Sequence, residues 1–133
     1  MRKITEEQIT EMLCQYLSYL RGAQLNRIAP SGFFKDGVMI KHKSKFIKKG
    51  VSDIQFMYGG SFYVFEVKTP KEYKFIMKHL PKIILTPRIK LSEKKQHILD
   101  QWEYIEGIRR NGGKGGFVCE LKQVKNYIFG LQK

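Results

Sequence analysis

Seven residues near the middle of the chain, Phe62-Tyr63-Val64-Phe65-Glu66-Val67-Lys68, constrain it more than any other stretch. Aromatic and β-branched residues dominate them, which is the composition of a β-strand. A strand this apolar belongs inside a sheet. Its C-terminal end nevertheless carries an acid and a base, Glu66 and Lys68. Residues two apart on a strand share a face. A carboxylate and an ammonium therefore leave the same side of a buried strand, just before Thr69-Pro70, where the strand must stop. Burying one charge is costly, and two side by side point to a purpose.

Charge says what kind of partner such a purpose involves. The 133 residues hold 25 Lys+Arg against 12 Asp+Glu, a formal net charge of +13. That excess is large for one short domain, and it points to a polyanionic partner, of which nucleic acid is the commonest. A merely soluble basic protein and a membrane-surface role are the weaker readings. No stretch is long and apolar enough to span a bilayer, and the N-terminus does not read as a signal peptide, so the expectation is a cytoplasmic protein. Cys14 and Cys119 lie far apart in apolar company and read as buried free thiols. No Cys/His cluster has zinc-site spacing.

Around the central strand the chain alternates helix and strand. Thr5 to Leu20 predicts an amphipathic helix with Ile9, Met12, Leu13, Tyr16, Leu17 and Leu20 on one face. Thr5 and Gln8 form a capping-box pattern, and Gly22 can end the helix. Gln24–Ile28 and Gly37–Lys41 read as short strands, with a turn at Pro30-Ser31-Gly32. A lysine-rich run follows, Lys41, Lys43, Lys45, Lys48 and Lys49, readable equally as a solvated loop or as a phosphate-contacting one. Val51–Tyr58 reads as a strand, and Gly59-Gly60 as the hairpin turn that returns it antiparallel onto Phe62–Lys68. Residues 70–90, basic and with three prolines, read as an excursion from the core containing a short helix at Glu72–Leu80. Ser92 caps a long helix over Glu93–Arg110, with Ile98, Trp102, Ile105 and Ile108 inward. The glycine-rich run 111–116 follows that helix and reads as a turn into a strand at Phe117–Leu121. Val124, Tyr127, Ile128 and Leu131 mark a short last helix. The order is α-β-β-β-α-β-α, an α/β arrangement of mixed sheet and flanking helices in a single domain.

The hairpin brings Asp53 to the same end as Glu66 and Lys68, in a register that pattern alone leaves open. Two carboxylates brought together repel unless a cation sits between them. An oxygen-only ligand set suits Mg2+ or Mn2+. Such a metal acidifies a bound water and stabilises charge on a phosphoryl oxygen, and a nearby lysine orients that water or offsets transition-state charge. Beside a +13 surface, this is equipment for phosphodiester hydrolysis. Each part alone has an ordinary explanation: Glu-x-Lys as a surface ion pair, Asp53 as a turn residue, the early acids Glu6, Glu7 and Glu11 as partners of the helix dipole.

The joint pattern is more specific. Gly50-Val51-Ser52-Asp53, a hairpin, Glu66-Val67-Lys68-Thr69-Pro70 and then Ser92-Glu93-Lys94-Lys95-Gln96 opening a helix together resemble the VRR-NUC branch of the PD-(D/E)XK nuclease superfamily, over nearly the whole chain. The resemblance implies a restriction-endonuclease-like core. It implies Asp53 and Glu66 as ligands of Mg2+ or Mn2+, with the Val67 carbonyl as a third, and Lys68 as the catalytic lysine. It implies that Gln96 reaches the site from its helix and that Glu6, with Glu7 as the alternative, supplies an acid from the first helix. Arg27 matches a basic residue of the family's first strand, a contact for nucleic acid. It also implies a homodimer cutting branched DNA such as four-way junctions. Two features depart from the pattern. Ser52 stands where a proline often precedes the metal aspartate. About twenty residues, Lys71 to Lys90, separate Lys-Thr-Pro from the Ser-x-x-x-Gln helix, where most members have almost none. This basic insert is expected to contact nucleic acid or to build a dimer interface. A non-catalytic nucleic-acid-binding module on a nuclease-like scaffold and an RNA-directed nuclease remain the alternatives.

Overall fold

The computed structural model describes residues 4–28, 33–35, 38–40 and 52–130. The chain runs α1 (Glu6–Ser18), β1 (Gln24–Arg27), β2 (Phe33–Lys35), β3 (Val38–Ile40), β4 (Ile54–Tyr58), β5 (Ser61–Val67), α2 (Pro70–Leu85), a 3-10 turn (Arg88–Lys90), α3 (Glu93–Arg110), β6 (Lys114–Val118) and α4 (Leu121–Phe129). A four-stranded mixed sheet has the order β1-β4-β5-β6, and β2 and β3 form a separate pair. β1, β4 and β5 are antiparallel neighbours, and β6 joins β5 in parallel.

The stretch Phe62–Lys68 does lie inside the sheet, and its alternation builds two cores. Tyr63, Phe65 and Val67 point to one side, against Ile9, Leu13 and Leu17 of α1 and Val124 of α4. Val64 points to the other, against Ile76 and Ile83 of α2 and Ile98, Leu99 and Ile105 of α3. Each large apolar side chain so buried contributes about 1.5–3 kcal/mol relative to exposure. Glu66 and Lys68 share the parity of Val64, so they belong to the side carrying α2 and α3.

Local chemistry explains most element ends. Thr5 and Gln8 cap each other at the start of α1, as their spacing predicts. Gly59 and Gly60, at φ 59° and 82°, make the tight turn joining β4 to β5. Such positive φ values suit a two-residue hairpin turn and come without penalty in glycine.

Three expectations are corrected. Residues 70–85 are not an excursion. They form α2, whose Ile76 and Ile83 are buried in the second core. Thr69 and Glu72 make a capping box there, and Pro70 occupies the first turn, where its missing N–H is no loss. Pro81, inside the helix, is tolerated because the Ile83 beyond it is buried. Removing 71–90 would therefore strip one core of its cover. The last strand is Lys114–Val118, so it starts earlier than expected: Gly112 and Gly113 make the turn after α3, while Gly115 and Gly116 lie in the strand. Gly115 has φ 134°, and a Cβ there would sit 1.8 Å from the Val64 carbonyl oxygen, so close pairing of β6 with β5 requires glycine. A strand at β2 stands beside the expected one at β3, and the two pair antiparallel. Cys14 and Cys119 are half-buried free thiols.

Candidate active site

The hairpin register settles how the acids meet. Ile54 pairs with Phe65, so Asp53 stands opposite Glu66. The Val67 N–H donates to Asp53 Oδ2 at 2.9 Å, fixing that carboxylate at the strand end. The Lys68 N–H in turn donates to the Val118 carbonyl at 2.8 Å, tying the site to β6. Glu66 and Lys68 are 3% and 8% exposed, and their charged ends approach to 4.0 Å. Asp53 and Glu66 face each other across the β4–β5 ladder, and the Asp53 charge acts on Glu66. Ser52, next to Asp53, is buried.

Glu66 has one oxygen satisfied and one not. Gln101 of α3 donates its side-chain N–H to Glu66 Oε2 at 2.9 Å. Glu66 Oε1 is buried without a partner. Burial first, then the Asp53 carboxylate, pushes the Glu66 carboxyl up to about 9, against the pull of Lys68. Without a cation this acid therefore holds a proton at neutral pH.

Glu6 joins the same neighbourhood from the start of α1. Burial raises its carboxyl to about 7, Lys68 draws it down, and the charges of Asp53 and Glu72 push it up. Glu72, in the first turn of α2, is bonded to Thr69 and lies near enough for its charge to act on Glu6. Burial acts to raise Glu72, but its bonds from Thr69 outweigh that and hold it below the usual range. Glu7 faces away. It pairs with Arg27, which also grips Glu11. The choice between Glu6 and Glu7 thus falls to Glu6.

Two expected residues are placed elsewhere. Gln96 does not reach the site. Its amide donates to the carbonyls of Arg88 and Leu91, at 3.2 and 3.0 Å, and braces the 3-10 turn. Gln101, a little over one turn further along α3, meets Glu66 instead. Arg27 has its guanidinium engaged by Glu7 and Glu11, clamping β1 to α1, rather than extended toward a ligand. Lys41, Lys43, Lys45, Lys48 and Lys49 lie outside the described residues.

Gln101 and Glu72 escaped the sequence reading, although each left a signal. Gln101 sits between Ile98 and Ile105 at spacings of three and four, a polar residue inside an apolar helical stripe. Glu72 completes Thr69-x-x-Glu, a capping-box pattern. A third neighbour, His97, has its Nε2 3.2 Å from the Gln101 side-chain nitrogen.

The donor set fits a divalent cation: two adjacent carboxylates, one with a buried oxygen that lacks a partner, beside the backbone of Val67. Among the described residues, no group of three or more His, Cys, Asp or Glu side chains is arranged to hold a metal. A site here would draw on two carboxylates, backbone oxygen and water. Compared with family models, with curated proteins and with solved structures, the chain matches none. Among the described residues no helix is long and apolar enough to cross a membrane.

Proposed function

We propose that this chain is a divalent-metal-dependent endonuclease that hydrolyses phosphodiester bonds in DNA. The observation that carries the reading is the meeting of Asp53, Glu66 and Lys68 at one strand end, with both carboxylates pinned by hydrogen bonds. A lone buried carboxyl is explained by packing alone. Two at one strand end, with a lysine 4.0 Å from Glu66 and a buried Glu66 oxygen without a partner, are a cost to stability that a bound cation would offset. The resemblance to the VRR-NUC nucleases and the +13 charge supply the substrate class.

Asp53 and Glu66, with the Val67 carbonyl, would hold Mg2+ or Mn2+. Such an ion would supply Lewis-acid chemistry, activating water and offsetting charge on the phosphoryl oxygen. The protein's own contributions follow from the geometry. The Val67 N–H orients Asp53. Gln101 holds one oxygen of Glu66 and leaves the other free. Lys68, 4.0 Å from Glu66, would offset charge that develops on the phosphoryl group in the transition state. Glu6, at a pKa of about 7, is suited to exchange a proton at neutral pH. Branched DNA as the substrate and a homodimer as the acting species are the finer parts of this proposal and come from the resemblance.

The test is cleavage of linear, flap and four-way-junction DNA, and of matching RNA, with Mg2+ or Mn2+, beside Asp53→Ala and Glu66→Ala. The expected result is metal-dependent cutting, lost by at least about 10²–10³-fold in either variant while DNA binding persists. Undiminished cutting by purified Glu66→Ala would sink the mechanism. DNA binding without any cutting by the unaltered protein would make it a binding module.

A further inference from the structure

Helix α2 carries a face that neither the fold nor the cleavage chemistry uses. Lys71, Lys74, Lys78 and Lys82 recur at spacings of three, four and four, and all are exposed. They lie opposite the buried Ile76 and Ile83. A solvated helix face ordinarily mixes acids with bases. This one has no acid, since Glu72, α2's sole carboxylate, caps the helix and faces Glu6. Neighbouring lysines on such a stripe repel one another, and nothing in the helix relieves it.

The stripe is also broadened and aimed. Lys94 of α3 lies over the Phe75 ring, 4.1 Å from its centre, binding the two helices together. Desolvation and the combined charge of Lys95, Lys78, Lys82 and Lys94 hold the His79 imidazole below its usual range. Lysines of α2 and α3 therefore act on one region. A cleft between the helices, lined by Glu72, Phe75, Lys94 and His97, contains Lys68 itself. Lys68 lines this cleft and Glu66 lies on the same side of the sheet, so the ridge starts beside them and leads outward.

We infer that the α2–α3 ridge of Lys71, Lys74, Lys78, Lys82, Lys94 and Lys95 is the track along which the phosphodiester backbone of the substrate runs away from the cut. From Lys71 to Lys82 the helix rises about 16 Å, the axial rise of about five nucleotides on one strand of B-DNA. Evenly spaced point charges over that length suit a sequence-independent backbone contact. The inference rests on the nuclease reading for the identity of the polyanion alone.

The test compares the unaltered protein with Lys74→Gln/Lys78→Gln/Lys82→Gln, using fluorescence anisotropy of labelled duplex and four-way-junction DNA without divalent metal, over 50–200 mM salt (concentrations of about the range in which such contacts are read). Three lost phosphate contacts should flatten the plot of log Kd against log salt by roughly two to three and weaken binding at the upper salt by tenfold or more. The thermal midpoint should be unchanged, since all three residues are exposed. The double variant Lys122→Gln/Lys125→Gln on α4, across the sheet, should change the slope by less than half as much. An unchanged slope in the triple variant, or an equal change in the α4 variant, overturns the track. So does binding of anionic vesicles in preference to DNA by the unaltered protein. Intact binding and a flattened slope in a protein that never cuts would refute the nuclease reading and leave the track standing.

Discussion

The two faces of β5 are one sequence read at alternate residues, and they carry opposite burdens. Tyr63, Phe65 and Val67 meet α1 and α4 in a wholly apolar layer. On the other face Val64 is packed in the same way, but Glu66 two residues on is an acid and almost as deeply buried. The first face stabilises the fold. The second gives up some of that stability to hold an acid whose carboxyl is pushed up to about 9 by its own burial. The proposed chemistry draws on both: one face makes β5 rigid, and the other gathers Glu66 and Lys68 at its end.

The largest effect should come from breaking the dry face. Phe65→Ala is expected to cost about 3–5 kcal/mol, read as a lower midpoint in chemical denaturation, and with it activity at 37 °C. The charged face should respond in the opposite sense. The folded Glu66 carboxyl lies at about 9 against 4.5 unfolded, so its stabilising effect is full below pH 4.5 and is lost as pH rises toward 9. Glu66→Gln should therefore match the unaltered protein near pH 4.5 and melt progressively higher than it toward pH 9, while losing cleavage. Added Mg2+ should narrow that gap by stabilising the unaltered protein alone. Equal melting of the two proteins at pH 9 would show that Glu66 is ionised without a cation.

A smaller effect separates the two glutamines of α3. Gln101→Leu, which frees Glu66 Oε2, should lower cleavage by about 10–100-fold, the usual loss for an outer support of a metal ligand. Gln96→Leu, which loosens only the 3-10 turn, should leave the cleavage rate within about threefold. The reverse order would return Gln96 to the site. Smallest of all is Arg27→Ala. Its pairs with Glu7 and Glu11 are exposed, so about 1 kcal/mol or less of stability should go, and the salt slope of DNA binding should stay as it was. A flattened slope would restore Arg27 as a phosphate contact.

Much of the fold was legible because its signals are local. The Thr5–Gln8 capping box, the Gly59-Gly60 turn and the alternation of β5 each depend on residues within a few positions of one another. The pairing of Asp53 with Glu66 was half legible: a two-residue turn brings them to one end, and only the observed register sets them opposite. What misled were residues whose meaning depends on distant partners. The prolines of 70–90 read as irregular chain, yet Thr69 and Glu72 start a helix that the second core then holds through Pro81. Gln96 fitted a spacing, but its reach depends on how α3 packs, and its amide is held by the 3-10 turn instead. Arg27 read as a free cation until α1 laid two glutamates against it. The sequence alone determined the α/β alternation, the central buried strand and the acids that close its end, since local hydrogen bonds and side-chain parity need no partner across the fold. Only the tertiary structure decided which glutamine touches Glu66, which arginine is already paired and that α2 belongs to the core, because those are contacts between segments that packing alone brings together.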